Sequence, residues 1–336
     1  MAIRIKDIAK LAGVSPATVS LALNGSELVN EDTRKRIISI AHEHGYIPNT
    51  YARRLAMRRS GMLGLVIPDI ENVYYASLVR MTNNYAQTAG YGLSILISDN
   101  SRELEEKIVT ELISARVEGV ICVPANIPGS SGEIFARLTD ATIPVVCATT
   151  RFEPGSFIPS VMCGLREGMY EVASYLFRRG RRRPVYITGP SDVYTLDIRR
   201  SGFLDAARDA GIGESELKII ELPEVNYAAA CVAAQQIADS GGNFDAAVCV
   251  NDMMALGVVN TLSRRGFDIP RDIAITGYDD VIFAEASPTP LTTVRQDIDS
   301  IARESIALLT RLIGGLPPDE AGDIVLPTQL VIRQST

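Results

Sequence analysis

From Met62 onward the chain repeats one pattern, a run of four or five apolar residues followed by a stretch long enough for a helix. The runs are Leu63–Ile67, Leu93–Ile97, Val120–Val123, Val145–Ala148, Val185–Thr188, Ile219–Leu222, Ala247–Val250 and Ile273–Thr276. Most are rich in Val and Ile and do not alternate with polar residues, as expected of strands buried on both faces of a parallel sheet. The 276 residues after Ser60 are long for one doubly wound layer, at about 100–200 residues per domain. Two α/β lobes are therefore expected.

Residues 1–60 read differently. Ile5-Lys-Asp-Ile-Ala-Lys-Leu-Ala-Gly13 and Ser15-Pro-Ala-Thr-Val-Ser-Leu-Ala-Leu-Asn24 form two short helical segments joined by a Gly-containing turn. Ser15 is placed to cap the second helix and Pro16 to start it. That is a helix-turn-helix, a unit whose common use is to lay its second helix in the DNA major groove. Ile8, Leu11 and Ala12 share a face of the first helix, and Val19 and Leu23 a face of the second. A third helix from about Asn30 to His44 offers Ile37, Ile40 and Ala41 to close an all-α core. These sixty residues carry a net charge of +5, which leaves −12 for the rest of a chain whose total is −7. Phosphate-seeking charge thus sits at one end of an acidic protein.

Other function classes are disfavoured by what is missing. Both histidines, His42 and His44, fall in the third helix, so the lobes contain neither a Ser-His-Asp triad nor a His-ligated metal site. Lys107 and Lys218 are the lysines beyond residue 60, and neither ends a phosphate-cradling glycine loop. No Gly-x-Gly-x-x-Gly follows a strand. A carboxylate-based enzyme stays formally open, but no catalytic residue, cofactor or metal is expected. Cys122, Cys147 and Cys249 sit inside apolar runs and read as small buried hydrophobes; Cys163 and Cys231 receive no role. The segment Met1-Ala-Ile-Arg-Ile-Lys lacks a signal-peptide apolar core, and no run reaches the ~18 apolar residues of a membrane span, so a cytoplasmic protein is expected.

Several motifs, in order, resemble the lactose-repressor/galactose-repressor (LacI/GalR) family of bacterial transcription regulators. They are Ala12-Gly-Val-Ser15, Thr18-Val-Ser20, Gly45-Tyr-Ile-Pro-Asn49, Ala52-Arg-Arg-Leu-Ala56, Arg199 with Gly202-Phe203, Asn251-Asp-Met-Met-Ala-Leu-Gly257, Gly277-Tyr-Asp-Asp280 and Leu291-Thr-Thr293 with Gln296. The resemblance implies a helix-turn-helix DNA-binding domain over 1–47 and a hinge over 48–60. It also implies an effector-binding and dimerisation domain over 61–336 built like a periplasmic binding protein, with two doubly wound lobes. The N-lobe would span about 61–160 and 291–321, and the C-lobe about 161–290 and 322–336. A ligand would sit in the cleft between them.

The resemblance also implies site residues. Ser15, Pro16, Ala17, Thr18, Ser20, Leu21, Asn24, Tyr46 and Asn49 would face DNA. In the hinge, Ala52 and Arg53 would accompany Leu55, which matches a residue wedged into the minor groove; a plain arginine-rich linker is the alternative. Pro16, Ala17 and Leu21 cannot donate side-chain hydrogen bonds, so thymine-methyl contacts by Ala17 and Leu21 are expected, with Ser15, Thr18, Ser20 and Asn24 on phosphates. In the cleft, Asp69, Asn72, Tyr74, Tyr75, Thr149, Arg199, Tyr227, Asn251, Asp279 and Gln296 are the candidates. Asn251 and Asp279 can equally be helix and turn caps, and the two tyrosines can equally be core. Thr149 stands where the family usually has Asp. Gly180-Arg181 replaces Gly-His, inside the run Arg178–Arg183, read as a solvent-exposed helix end. The expected function is a DNA-binding regulator, most often a repressor in this family, acting as a homodimer on operator DNA and controlled by a small polar metabolite such as a carbohydrate. The alternatives are a corepressor-dependent regulator answering to a nucleoside-like ligand or partner protein, and a solute-binding transport component.

Overall fold

In the computed structural model, which describes residues 3–23, 26, 28–46, 60–130, 132–152, 157–241 and 244–336, the chain divides into two units, Met1–Ser60 and Gly61–Thr336. The first contains α1 (Ile5–Ala12), α2 (Pro16–Leu23) and α3 (Glu31–Glu43). Each begins where a cap is available. The Arg4 N–H donates to the Asp7 carboxylate (2.9 Å), the Thr18 N–H donates to Ser15 Oγ (3.1 Å) and the Asp32 N–H donates to Asn30 Oδ1 (2.9 Å). Ile8, Ala9, Ala12, Val19, Ala22 and Ile37 are buried between the helices. Leu11, expected on the packed face, is 54% exposed. At 100° per residue Ile8, Ala9 and Ala12 define a face centred more than 100° away from it.

The second unit holds two parallel sheets. Elements β1 (Met62–Ile67), α4 (Val73–Thr88), β2 (Gly92–Ile97), α5 (Arg102–Ala115), β3 (Gly119–Cys122), α6 (Glu133–Asp140), β4 (Val145–Ala148) and β5 (Ser160–Cys163) build one lobe. The other follows with α7 (Leu165–Arg178), β6 (Pro184–Thr188), α8 (Tyr194–Asp209), β7 (Lys218–Glu221), α9 (Tyr227–Asp239), β8 (Ala246–Cys249), α10 (Asp252–Arg264), β9 (Ala274–Thr276) and α11 (Ile282–Ala286). The chain then returns through β10 (Thr293–Gln296), α12 (Ile298–Ile313), α13 (Pro318–Ala321), β11 (Ile324–Leu326) and β12 (Thr328–Val331). The N-lobe sheet has the order β11-β5-β4-β3-β1-β2 and the C-lobe sheet β7-β6-β8-β9, while β10 and β12 pair antiparallel. Most of the strands in both sheets are largely buried, as their unbroken apolar runs require.

Two expected boundaries move. Strand β5, which lacks a long apolar run, pairs with β4 and β11, so the N-lobe extends to Cys163 instead of about 160. The apolar stretch Ile324–Ile332 reads as one strand but is cut at Pro327: β11 completes the N-lobe sheet, and β12 crosses to pair with β10. Proline cannot donate to a ladder, so the sheet ends there. The last crossover therefore lies at Pro327, not near 322.

Two sequence oddities acquire structural reasons. A Cβ at Gly202 would overlap the Arg166 carbonyl oxygen, so only glycine lets α8 lie so close to α7. The end of the arginine run ties turns together: Arg181 Nη2 donates to the Pro270 carbonyl (2.5 Å), Arg182 Nη1 donates to the Ala210 carbonyl at the end of α8 (2.6 Å), and the Arg182 and Arg183 N–H groups reach the Asp245 carboxylate at 3.0 and 2.9 Å. Among the described residues no helix is long and apolar enough to cross a membrane.

Candidate ligand cleft and DNA-binding face

All strands of a parallel sheet point their carboxyl ends the same way, so the loops after them gather along one edge. Here the loops of both lobes gather around one cavity of about 410 Å3. The N-lobe supplies Asp69 and Asn72 after β1, Asp99 and Asn100 after β2, Asn126 after β3 and Thr149 after β4. From the C-lobe come Thr195 and Arg199 on α8, Glu224 and Asn226 after β7, Asn251 after β8 and Asp279 after β9, with Gln296 at the end of β10.

Arg199 organises the floor. Its Nη1 donates to the Val250 carbonyl (2.6 Å), its Nη2 lies 3.4 Å from Asp279 Oδ1, and its guanidinium sits 4.2 Å from the centre of the Tyr278 ring. Burial disfavours its charge, and the neighbouring Asp279 carboxylate holds the charge in place. Gln296 Nε2 donates to Asp279 Oδ1 at 2.8 Å. Burial pushes the Asp279 carboxyl up to about 6, with Arg199 and the Gln296 bond pulling the other way. Below it Asp252, fully buried, accepts from the Thr293 hydroxyl (2.6 Å) and the Val281 N–H (2.8 Å). It ties α10 to the returning strand β10.

Asn126 bridges the lobes. Its Nδ2 donates to the Tyr75 hydroxyl (3.0 Å) and its Oδ1 accepts from Thr195 Oγ1 (3.1 Å). The Asn126 N–H is held by Asn100 Oδ1 at 2.9 Å, and the adjacent Ala125 N–H donates to the buried Glu105 carboxylate at 2.9 Å. Burial raises the Tyr75 hydroxyl to about 12 and pushes that of Tyr74 up as well. The two rings meet edge to face at 5.4 Å. Thr149 (φ +68°) and Asp279 (φ +108°) occupy left-handed backbone conformations that side chains other than glycine rarely adopt. Such strain concentrates at binding sites.

Of the ten cleft candidates, the structure gathers Asp69, Asn72, Tyr74, Tyr75, Thr149, Arg199, Asn251, Asp279 and Gln296 around the cavity. Asn251 caps α10, its Oδ1 accepting from the Met254 N–H (2.8 Å), and it also lines the cleft. Tyr227 is a correction. It lines a separate surface depression with Leu256 and Phe283, and its hydroxyl accepts from Asn260 Nδ2. The cleft residue is its neighbour Asn226, the α9 cap, whose backbone is extended, while Tyr227 is the first helical residue and faces elsewhere. Asp99, Asn100, Asn126, Thr195 and Glu224 were missed as well. Most are polar residues within a few positions of a strand's carboxyl end, a signal readable from sequence.

On the first unit, Ser15, Pro16, Ala17 and Leu21 are exposed on α2, opposite buried Val19 and Ala22; Thr18 and Ser20 are half-buried. The Ser15 and Thr18 hydroxyls are bonded to each other (2.9 Å). Tyr46 packs against the helical core, with its N–H donating to the Ala41 carbonyl (2.8 Å). Asn24, Asn49, Ala52, Arg53 and Leu55, with the expected hinge, lie outside the described residues.

A helix-turn-helix unit joined in one chain to two parallel-sheet lobes around a polar cleft is the plan of a DNA-binding transcription regulator. Residues 4–49 match the model for bacterial regulatory proteins of the lacI family, and residues 173–336 that for the periplasmic binding protein-like domain. The HTH-type transcriptional regulator RegA of Clostridium saccharobutylicum is 29% identical over the whole of both chains. The regulator CelR in complex with cellobiose is 26% identical, with TM-score 0.72 over 99% of this chain and 100% of that one. The lac repressor dimer bound to operator and the anti-inducer ONPF shares the fold at TM-score 0.87 and 24% identity, over 100% of this chain and 99% of that one. The chain thus carries a lacI-family DNA-binding domain and a periplasmic binding protein-like domain, and over its whole length it is similar to transcription regulators of the LacI/GalR type.

Proposed function

We propose that this chain is a cytoplasmic repressor that binds operator DNA as a homodimer through α2 and the segment 48–60, and that a small polar, sugar-like molecule in the cleft sets its affinity for DNA. The observation that carries the effector reading is the convergence of Arg199, Asn251, Asp279 and Gln296 in the cleft, with Arg199, Asp279 and Gln296 already bonded to one another. A fork of donors, an amide and a carboxylate suit a dense set of hydroxyls, because each can bond two neighbouring ligand atoms. The cellobiose bound to CelR supports this ligand class. Ligand and DNA affect each other reciprocally, since a ligand shifts a conformational equilibrium only by its differential affinity for the two states. The lobes carry no histidine, and the cleft has a binding role, not a catalytic one.

A thermal-shift panel of sugars, polyols and nucleosides tests the reading. At least one compound is expected to raise the melting temperature of the parent and not that of Arg199→Ala. A panel in which nothing stabilises the parent, or in which Arg199→Ala responds equally, overturns it.

A further inference from the structure

The cleft is lopsided in charge. Among the described residues lining it, four carboxylates, Asp69, Asp99, Glu224 and Asp279, face one cation, Arg199. That cation is already committed to the Val250 carbonyl, the Asp279 carboxylate and the Tyr278 ring. Asp279 balances it, which leaves three carboxylates without a lining cation. The Tyr74 hydroxyl is buried, 4% exposed as a residue, and has no hydrogen-bond partner among the described residues, so the floor also holds a neutral group in need of one.

A phosphate or carboxylate entering this cavity finds no cation to pair with and approaches three carboxylates, Asp69 half-buried and Asp99 and Glu224 exposed, whose combined field repels an anion in a salt-dependent way. Hydroxyls meet acceptors and donors at once, and an ammonium meets an attractive field. Taking the cleft as the effector site, we infer that it accepts an uncharged polyhydroxylated molecule or its amine-bearing counterpart and rejects phosphate esters and sugar acids.

The test is calorimetric titration of the full chain with matched sets: ribose, galactose, glucose, cellobiose and adenosine, the phosphate ester of each, and glucosamine and galactosamine. An uncharged or amino compound is expected to bind best, and its phosphate ester at least tenfold more weakly. That gap narrows as ionic strength rises and in the doubly neutralised Asp99→Asn, Glu224→Gln variant. An ester that binds as well as its parent sugar overturns the inference while leaving the cleft as effector site intact. So does a gap that neither salt nor the variant changes, since that exclusion is steric. Failure of every compound to bind overturns the polyol reading of the cleft itself.

Discussion

Arg199 and Asp279 form a nearly buried ion pair at the cleft floor, with the side chains 12% and 7% exposed and the closest atoms 3.4 Å apart. Neither partner is free to leave alone. Removing Arg199 leaves the Asp279 carboxylate with no countercharge and only the Gln296 bond, so Arg199→Ala is expected to destabilise the second unit by about 3 kcal/mol, in the range for breaking a buried pair. Urea unfolding of parent and variant checks this. A variant as stable as the parent would mean that the pair is solvated in solution.

The carboxyl of Asp279 gives the protein a pH signature. Pushed up to about 6 from an ordinary 3.8, it holds a proton in the folded chain that the unfolded chain has lost between these values. Stability therefore falls as pH rises through that window, because there the folded state binds more protons than the unfolded state. Ligand affinity runs the other way, since the ionised form is the better hydroxyl acceptor. Asp279→Asn should flatten the Asp279 part of both profiles; chemical denaturation and calorimetry between pH 4 and 7.5 measure them.

The bond from Thr195 to Asn126 joins the lobes at the rim of the cleft. Thr195→Val deletes the donor and keeps the shape, at an expected cost of about 1 kcal/mol in favour of the separated lobes. Small-angle scattering should show a larger radius for the ligand-free variant, and Thr195→Ser should restore the parent value. Identical curves for all three would show that the bond does not hold the lobes together.

On α2 Ala17 and Leu21 present exposed apolar side chains, which under the proposed DNA-binding role would touch thymine methyls. Substituting uracil for single thymines in an operator half-site is expected to weaken binding at the positions they touch. Ser15→Ala should cost about 1 kcal/mol of helix stability through loss of the bond from the Thr18 N–H. Equal affinity for every uracil-substituted duplex would rule out methyl contacts.

Much of this architecture is legible in the chain because buried parallel strands must be continuously apolar; Val145–Ala148 was placed to the residue. Strand β5 escaped because Pro159-Ser160 and Gly164 leave an apolar run of only three residues, Val161–Cys163, and its pairing with β4 and β11 is a tertiary fact. The break at Pro327 escaped too, because the apolar run continues on both sides of it and its two halves join different sheets only in the folded chain. At the cleft, Arg199 and Asp279 were named through family motifs, whereas Asn126 carries no motif. Its role depends on Tyr75 and Thr195, 51 and 69 residues away, meeting it in space. Tyr227 went wrong by one residue, a distinction set by where α9 begins.

Fluorescence-anisotropy titration of a duplex from the region upstream of the gene, with and without a saturating polyol identified by the thermal-shift panel, tests the central claim most directly. The expected result is a change in DNA affinity of roughly 5–150-fold in the parent, the usual span of allosteric coupling, and none in an Asp279→Ala variant that still binds the duplex. A DNA affinity that stays the same when the cleft is saturated would contradict control of the helix-turn-helix by the cleft.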